Sequence, residues 1–330
     1  MGASVGLGLR AAGWEVVGWD PSPAAIDQAR QREAIDAIAT QPADGVDDAD
    51  ILILAGPPAA TQRSLEGLGT SELLITDIAS VKTPVVASGA HLPRFVPGHP
   101  MAGAAASGAR HASAHLFHGA AWVLCDDIAG QTDIDAVGEI VQTLGAHPVI
   151  LGAEEHDRRV SLVSHLPRLL ASALIELAQE RPGALDLSAG SFRDLTRMAG
   201  SDPEWWTEVL TSNKDAMLAT IESLESVLRR WKDDISGSDA ANVTRHLAET
   251  RTARAGLGAS SESVRVLLFD RPGEIALVGR ALEKSRVDLR DLHIRHAEYG
   301  GGGVLTLSVG TEEAGALRSA LVALGFEIED

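Results

Sequence analysis

Several features that would place this sequence in a particular class of protein are scarce or absent. Its one cysteine, Cys125, lies in the apolar run AAWVLC. An internal disulfide and any multi-cysteine metal site are therefore excluded, and we expect a buried thiol without a chemical role. No uncharged apolar run reaches the ~18 residues of a membrane-spanning helix, and the first residues lack the basic start of a signal peptide. These absences predict a cytoplasmic protein without membrane contacts.

Basic residues are also in short supply. The chain has 28 Lys and Arg against 46 Asp and Glu, which gives a formal net charge of -18. Such a charge repels phosphate backbones, so nucleic acid is not an expected partner, and an anionic small molecule would need a local cluster of arginine or lysine. The sequence contains no HExxH motif, and His156 and His165 do not have the i, i+4 spacing of a helical zinc site. We therefore expect no metal site.

The length of 330 residues allows two or three domains. In residues 1–152, short β-rich runs alternate with helical patterns, which is typical of an α/β, Rossmann-like doubly wound sheet. Residues 153–255 show helical periodicity and predict an all-helical domain, and residues 256–263 have the composition of a linker. Residues 264–330 predict a ferredoxin-like βαββαβ module. The strands predicted in the first domain are Glu15–Asp20, Asp50–Gly56, Leu73–Ile78, Arg94–Gly98, Ala121–Asp126 and His147–Leu151.

The N-terminal residues carry part of a dinucleotide-binding pattern. Gly2 opens a predicted helix, and the following strand ends at Asp20, at the spacing where a Rossmann unit places its ribose-binding carboxylate. That carboxylate accepts hydrogen bonds from both ribose hydroxyls and repels a 2′-phosphate, so NAD is favoured over NADP. On this interpretation Gly2 is the third glycine of the motif. We expect the first strand and the two earlier glycines to lie upstream of Met1.

Polar residues follow two neighbouring predicted strands. Asp77 and Ser80 come after one strand and His99 after the next, so all three should face the crevice where open α/β sheets bind ligands. A histidine there can act as a general base near neutral pH. Taken singly, His99 is more often a structural histidine and Ser80 an ordinary helix cap. Their convergence at one crevice favours a catalytic site.

The predicted helical domain carries a second group of polar residues. His156, Ser164, His165 and Arg168 lie near its start. Further on, Asp194, Arg197 and Trp206 occur within one short stretch, which suits an arginine clamp on a carboxylate backed by an aromatic wall. An internal ion pair of Arg197 with Asp194 above a tryptophan-lined core explains the same composition equally well.

Four of these segments together resemble a known family. TDIASVK, GHPMAGAAASG, HDRRVSLVSHLPR and FRDLTRMAGSDPEWW occur in the order and at about the spacing seen in the prephenate and arogenate dehydrogenases of tyrosine biosynthesis. The resemblance covers roughly residues 2–255. The C-terminal module, with DRPGE between its first strand and first helix, resembles an ACT domain.

The resemblance implies an enzyme that oxidatively decarboxylates prephenate with NAD. His99 would be the base, with Ser80 hydrogen-bonded beside it. Substrate contacts would come from Ser164, His165, Arg168 and Arg197, with Arg197 oriented by Asp194, and Trp206 would reach the site from the partner subunit of a homodimer. Cofactor contacts would come from Gly2, Asp20 and Asp77. The ACT domain would bind tyrosine as an effector.

Arg168 is a departure from the family pattern that bears on the substrate, and three alternatives to this function remain. The family's SHLPH histidine is Arg168 here, and we expect this fixed charge to favour the keto acid prephenate over zwitterionic arogenate. Arogenate dehydrogenase is the first alternative. A catalytically silent amino-acid sensor is the second, because part of the dinucleotide motif is missing. A hydroxyacid-type dehydrogenase is the third, but it needs a lysine base soon after residue 152, and no lysine occurs between Lys82 and Lys214.

Overall fold

The computed structural model describes residues 1–41, 48–103, 108–237, 239–256, 261–269, 271–296 and 302–329. Three segments named above lie partly outside these described residues: the end of the GHPMAGAAASG motif, part of the linker, and Asp270 of DRPGE. The chain forms two compact units, Met1–Glu225 (unit 1) and Ser226–Asp330 (unit 2). The division predicted at residue 152 falls inside unit 1.

The first part of unit 1 is an α/β structure with short strands. Its elements are α1 (Gly2–Ala11), β1 (Val17–Gly18), α2 (Pro23–Gln31), β2 (Ala37–Ile38), β3 (Ile51–Leu54), α3 (Pro58–Gly67), β4 (Leu74–Asp77), α4 (Thr83–Gly89), β5 (Phe95–Val96), β6 (Gly98–Pro100), β7 (Ala121–Cys125), α5 (Gln131–Thr143) and β8 (His147–Leu151). Strand β1 pairs with β2, β3 with β4, β4 with β5 and β7 with β8, all in parallel, whereas β6 runs antiparallel to β7. The predicted α/β class is confirmed. Strands β2 and β6 were missed because two or three residues are too few to show a strand periodicity.

Helices cover both faces of this sheet structure. On one face, Val5 and Leu9 of α1 and Val137 and Val141 of α5 join a core that includes Trp122 of β7. On the other face, a second core contains Leu65 of α3, Val85 of α4, and Ile75 and Phe95 of the strands between them. This two-sided burial explains why the strands read as continuous apolar runs rather than as alternating patterns.

Residues 153–255, which were predicted as an all-helical domain, form helices. The helices are α6 (Ala153–Val160), α7 (Leu166–Gln179), α8 (Gly190–Thr196), α9 (Pro203–Ser212), α10 (Lys214–Ser236) and α11 (Ala240–Ala255). Helices α6 and α7 are joined without a break by a π-helical turn, Ser161–His165. Pro167 lacks an N–H group, so the turn before it is free to widen. Asp202 caps α9 by accepting hydrogen bonds from the backbone N–H groups of Glu204 and Trp205.

Carboxylates of the helical part cap helices of the α/β part. Asp157 of α6 accepts hydrogen bonds from the backbone N–H groups of Lys82 and Thr83 at the start of α4, both at 2.8 Å. Glu208 of α9 accepts from Ala59 N at the start of α3, at 2.6 Å. Because the first N–H groups of a helix have no partner within the helix, these carboxylates stabilise both helix starts. This explains why unit 1 extends past the division predicted at residue 152.

Unit 2 ends in a βαββαβ arrangement. Its elements after α11 are β9 (Ser261–Leu268), α12 (Glu274–Ser285), β10 (Asp291–His296), β11 (Gly303–Gly310), α13 (Ala314–Ala323) and β12 (Ile328–Glu329). The strands form one antiparallel sheet in the order β10-β11-β9-β12. Val264 and Val266 of β9, Leu305 and Leu307 of β11 and Leu317 of α13 share one core. The element order is the one that the sequence predicted.

By length and composition, the continuous helix Ala153–Gln179 is the one described segment long and apolar enough to cross a membrane. The core helix of a protein that folds in water meets the same requirement. Asp157 and Arg168, both on this helix, are buried against other parts of unit 1, and such charged groups are disfavoured in lipid. The absence of membrane contacts stays a prediction.

Candidate active site

The loop after β4 is held by a fully buried ion pair. Lys82 Nζ lies 2.5 Å from Asp77 Oδ2 and also donates to the carbonyl oxygen of Gly98, at 2.6 Å. The Asp77 carboxylate further accepts hydrogen bonds from Ala79 N at 2.8 Å and Gly98 N at 3.0 Å. These contacts join the ends of β4 and β6, so they set the position of the residue that follows Gly98.

Asp77 therefore does not have the predicted role of a cofactor contact. Its side chain is fully buried, and both of its oxygens are occupied by Lys82 and two backbone N–H groups. The sequence placed Asp77 correctly at the carboxyl end of β4. It did not reveal that the lysine five residues later folds back onto it.

Ser80 lies in the same loop, and its hydroxyl has no partner. The Ser80 Oγ atom is buried and makes no hydrogen bond to any described residue, His99 included. The expected hydrogen bond from Ser80 to His99 is therefore wrong for this structure, because His99 is bonded elsewhere. A buried hydroxyl without a partner is costly, so this group is free to bind a ligand.

His99, on β6, is half-buried and hydrogen-bonded to a second histidine. Its Nδ1 lies 2.8 Å from Nε2 of His156 on α6. Burial, reinforced by the nearby His156, Lys82 and His165, holds the pKa of His99 well below its usual value of 6.5. A neutral imidazole at pH 7 is the form that a general base requires.

His156 and Asp157 continue this contact inward. His156 Nδ1 lies 2.8 Å from Asp157 Oδ1, and both side chains are almost fully buried. Sequence reasoning placed His156 near the site but gave neither residue a role. The adjacent His-Asp pair at a helix start was the signal available, but their contact with His99 depends on the packing of α6 against the sheet.

A second cluster forms around the π-helical turn. Asn213 Nδ2 donates to the Asp157 carbonyl oxygen at 2.9 Å and lies 3.2 Å from His165 Nδ1. Burial lowers the pKa of His165 to about 4, so this ring is neutral at pH 7. The Trp206 ring meets His165 edge to face, with centroids 6.1 Å apart.

Arg168 is buried beside the same tryptophan. Its guanidinium carbon lies 5.8 Å from the Trp206 ring centroid, and its polar contacts are with neutral atoms, Ser172 Oγ at 2.5 Å and Ala199 O at 3.5 Å. The Nε atom has no partner, and no carboxylate pairs with Arg168 among the described residues. A buried guanidinium without a counter-ion is a strong attractor for an anionic ligand.

The predicted clamp of Arg197 and Asp194 is not assembled. Asp194 lies in α8, and Arg197 begins the short 3-10 turn that follows it. Both side chains are exposed, and within the described residues no hydrogen bond or ion pair joins them. Exposed ion pairs contribute little, so the fold has no reason to hold them together. Ser164 is half-buried on the π-helical turn.

The N-terminal residues fit a dinucleotide. Helix α1 begins at Gly2, and a Cβ atom there would lie 2.8 Å from the Cβ of Ala55, just past β3. Only glycine allows this approach, and the free N–H groups of the first turn favour an anion such as a pyrophosphate. Asp20 is exposed after β1, with Oδ1 accepting from Ser22 N at 2.8 Å. Its position suits contact with a ribose.

Two other expectations concern Cys125 and metals. Cys125 is fully buried, and burial raises the pKa of its thiol to about 12, so it is an unreactive core residue. No group of three or more His, Cys, Asp or Glu side chains that could hold a metal ion occurs among the residues that the structure describes.

The comparisons with known proteins point in one direction. The family model of the prephenate dehydrogenase nucleotide-binding domain matches residues 5–150, and that of the prephenate dehydrogenase dimerization domain matches residues 152–249. Prephenate dehydrogenase from Lactococcus lactis is 34% identical over 77% of this chain and 74% of its own length. The Bacillus subtilis enzyme is 30% identical over 95% of this chain and 90% of its own.

A solved structure agrees with these sequence relatives. The crystal structure of prephenate dehydrogenase from Aquifex aeolicus in complex with hydroxyphenyl propionate and NAD+ has a TM-score of 0.73 and 27% sequence identity. The match covers 78% of this chain and 94% of the other.

Proposed function

Since this chain belongs to the prephenate dehydrogenase family, we propose that it catalyses the NAD-dependent oxidative decarboxylation of prephenate to 4-hydroxyphenylpyruvate. The observation that supports this most directly is His99. Its pKa is lowered well below 6.5, which makes it a neutral base at pH 7, and its Nδ1 lies 2.8 Å from His156 Nε2. The reaction needs a group of this kind, because a hydroxyl proton must leave as the ring is oxidised.

The reaction divides between the cofactor and the protein. NAD, when bound, accepts the hydride that leaves the ring carbon bearing the hydroxyl group. Gly2 and Asp20 would hold it, through the α1 N-terminus and a ribose contact. His99 takes the hydroxyl proton as the carbonyl forms. The ring then loses its carboxylate as carbon dioxide, the released electron pair restores aromaticity, and His99 returns the proton to the oxygen.

A direct assay tests this function and the cofactor choice together. We expect the full chain to form NADH, measured by absorbance, when prephenate and NAD are both present. NADP should support a rate at least tenfold lower, since the Asp20 carboxylate repels a 2′-phosphate. Absence of NADH formation would contradict the proposal and favour the sensor alternative.

Arg168 supports prephenate as the preferred substrate over arogenate. Prephenate carries two carboxylates and a keto group, whereas arogenate carries an ammonium group that a buried guanidinium repels. We expect Arg168→His to lower the ratio of kcat/KM for prephenate to that for arogenate by about tenfold, which corresponds to ~1.4 kcal/mol.

The control for this test is Arg181→His, which makes the same change at an exposed site past the end of α7. That variant should keep the wild-type ratio. An unchanged ratio in Arg168→His itself would show that this arginine does not select the substrate, and arogenate would stand as an equal candidate.

We also propose a homodimer formed through the helical region. The matching family model is described as a dimerization domain, and several residues within it expose large apolar side chains. Leu187 is 86% exposed, and Leu195, Val163 and Leu177 are each more than half exposed. Sedimentation velocity should give twice the chain mass, and a monomer at micromolar concentration would contradict this.

Trp206 contacts His165 and Arg168 of its own chain here, so its expected action in the partner's site stays a prediction.

For residues 264–330 we propose an ACT-type domain that binds tyrosine as an effector. A cavity of about 330 Å³ lies at the start of α12, walled by Leu268, Phe269, Ile275 and Ile294 with Arg271 above the Phe269 ring. Pro272 and Glu274 complete the lining. Apolar walls with one guanidinium and one carboxylate suit an amino acid that has an aromatic ring, a carboxylate and an ammonium group. Calorimetric titration should detect tyrosine binding that Arg271→Gln weakens at least tenfold. No heat of binding in the wild-type chain would exclude this effector.

The proposed cofactor and reaction are those of a biosynthetic enzyme of the cell interior, so we propose the cytoplasm as its location. Localisation of a fluorescently tagged full chain tests this, and a signal confined to the envelope would contradict it.

A further inference from the structure

Three side chains form a linear hydrogen-bonded chain that leads inward from the reaction crevice. Nδ1 of His99 meets Nε2 of His156 at 2.8 Å, and Nδ1 of His156 meets Oδ1 of Asp157 at 2.8 Å. The far end is anchored, because Asp157 also accepts the N–H groups of Lys82 and Thr83 at the start of α4. The chain thus ends on backbone that belongs to the same loop region as the crevice.

The direction of each hydrogen bond follows from Asp157. Burial opposes ionisation of its carboxyl group, but the hydrogen bonds from His156, Thr83 and Lys82 outweigh it and lower the pKa of Asp157 below its usual value. An ionised carboxylate only accepts hydrogen bonds, so the proton between the two side chains must sit on His156 Nδ1. In a neutral imidazole the other nitrogen, Nε2, is then an acceptor.

The same reasoning reaches His99. If His156 Nε2 accepts, His99 Nδ1 must carry a proton and donate it. The single proton of neutral His99 is then used, and His99 Nε2 is left with a free lone pair. The opposite arrangement would need a second proton on buried His156. It would also place the His99 proton on Nε2, where it would block the base.

We propose that His156 is a positioning residue that holds His99 in the Nδ1–H form and so leaves Nε2 of His99 as the atom that takes the substrate proton. The role resembles that of a carboxylate behind a catalytic histidine, with one more imidazole inserted before the carboxylate. The kinetic part of this inference rests on the proposed function, whereas the form of the His99 ring is a property of the chain alone.

The three hydrogen-bonded side chains also have an effect after the proton has moved. When His99 Nε2 takes the hydroxyl proton, the ring becomes a cation whose Nδ1–H bond to His156 strengthens. The Asp157 carboxylate, which is hydrogen-bonded to His156, further stabilises the positive charge of the His99 ring. Within the three side chains only the N–H bond at His99 Nε2 forms and later breaks, because the proton taken from the substrate hydroxyl returns to the product oxygen once the hydride and carbon dioxide have left the ring.

The first test is spectroscopic and needs no substrate. In the full chain labelled with ¹⁵N-histidine, long-range ¹H–¹⁵N spectra at pH 8 distinguish the two neutral forms of each ring. The signals of His99 are those lost in His99→Asn. We expect the Nδ1–H form in the wild-type chain and a shift toward the Nε2–H form in His156→Leu, where the acceptor is gone. The Nε2–H form in the wild-type chain would overturn the proposal.

The second test is kinetic. We expect His156→Leu to lower kcat for prephenate by about 100-fold with KM changed less than threefold. His156→Gln should recover at least tenfold of this loss, because its amide oxygen still accepts from His99 and its NH₂ still donates to Asp157. Equal losses in the two variants would show that His156 serves only to pack, and would overturn the proposal.

Further measurements separate failure of the positioning role of His156 from failure of the proposed function and from failure of a variant to fold. His91→Leu, at an exposed histidine, should lose only the His91 signals and should keep the wild-type His99 signals and rate. If the wild-type chain does not oxidise prephenate, the proposed function fails, but the spectra still decide the form of His99. If His156→Leu does not fold, the wild-type and His156→Gln spectra decide it.

Discussion

Replacing His99 with asparagine should lower kcat for prephenate oxidation by about 10³-fold while KM changes less than threefold. General bases contribute ~10²–10⁴-fold, and this one is held neutral by burial, so nearly all of it is available at pH 7. Asparagine can still accept a hydrogen bond from the substrate hydroxyl but cannot remove its proton. Initial rates of NADH formation, with prephenate and NAD both saturating, measure the effect.

The matched control is His91→Asn, which makes the same change at an exposed histidine and should be silent. A loss below tenfold in His99→Asn would mean that another group removes the proton.

The pH dependence of the wild-type enzyme follows from the same pKa. A base is active when unprotonated, so kcat/KM falls as the pH drops through the pKa of His99. Because that pKa lies well below 6.5, the decline should begin below pH 6.5, and the residual activity of His99→Asn should lack it. A wild-type decline centred above pH 7 would contradict this assignment.

The largest effect on stability is expected from Lys82→Met. This change leaves the Asp77 carboxylate fully buried, with two backbone N–H groups and no cation. Removing one partner of a buried ion pair costs about 3–5 kcal/mol, so the free energy of unfolding of unit 1 should fall by that amount. Urea unfolding of the full chain, followed by tryptophan fluorescence, measures it.

A second variant separates loss of charge balance from loss of packing. In Lys82→Met combined with Asp77→Asn, no buried charge remains, and we expect part of the stability to return. Lys214→Met, at an exposed lysine of α10, should change the free energy of unfolding by less than about 0.5 kcal/mol. A double variant less stable than Lys82→Met would show that Asp77 stabilises the loop without its lysine.

Most of the architecture was predictable because its signals are local. Alternating β-rich and helical patterns depend on neighbouring residues. The strand Ala121–Cys125 ends one residue before its predicted end, and the strand His147–Leu151 has the predicted bounds. The family match followed from four motifs in order. Strands of two or three residues, such as Ala37–Ile38, carry no period and were missed.

The sequence predicted which residues lie near the site but not the contacts between them. The sequence indicated that Asp77, Ser80 and His99 should converge, since the carboxyl ends of parallel strands meet at one edge. It did not show which of these groups bind one another. Ser80 was expected to form a hydrogen bond with His99. His99 Nδ1 is instead hydrogen-bonded to His156, which the first turn of α6 brings against β6.

Residue types, their order and their spacing thus defined the fold class, the family and the candidate base, because those properties depend on short stretches of chain. Three features of the site depend instead on how separate helices and strands pack together. They are the ion pair of Lys82 with Asp77, the hydrogen bonds that link His99, His156 and Asp157, and the burial of Arg168 without a carboxylate partner among the described residues. Burial then changes the pKa of His99 and His165, and burial is a property of the packed molecule alone.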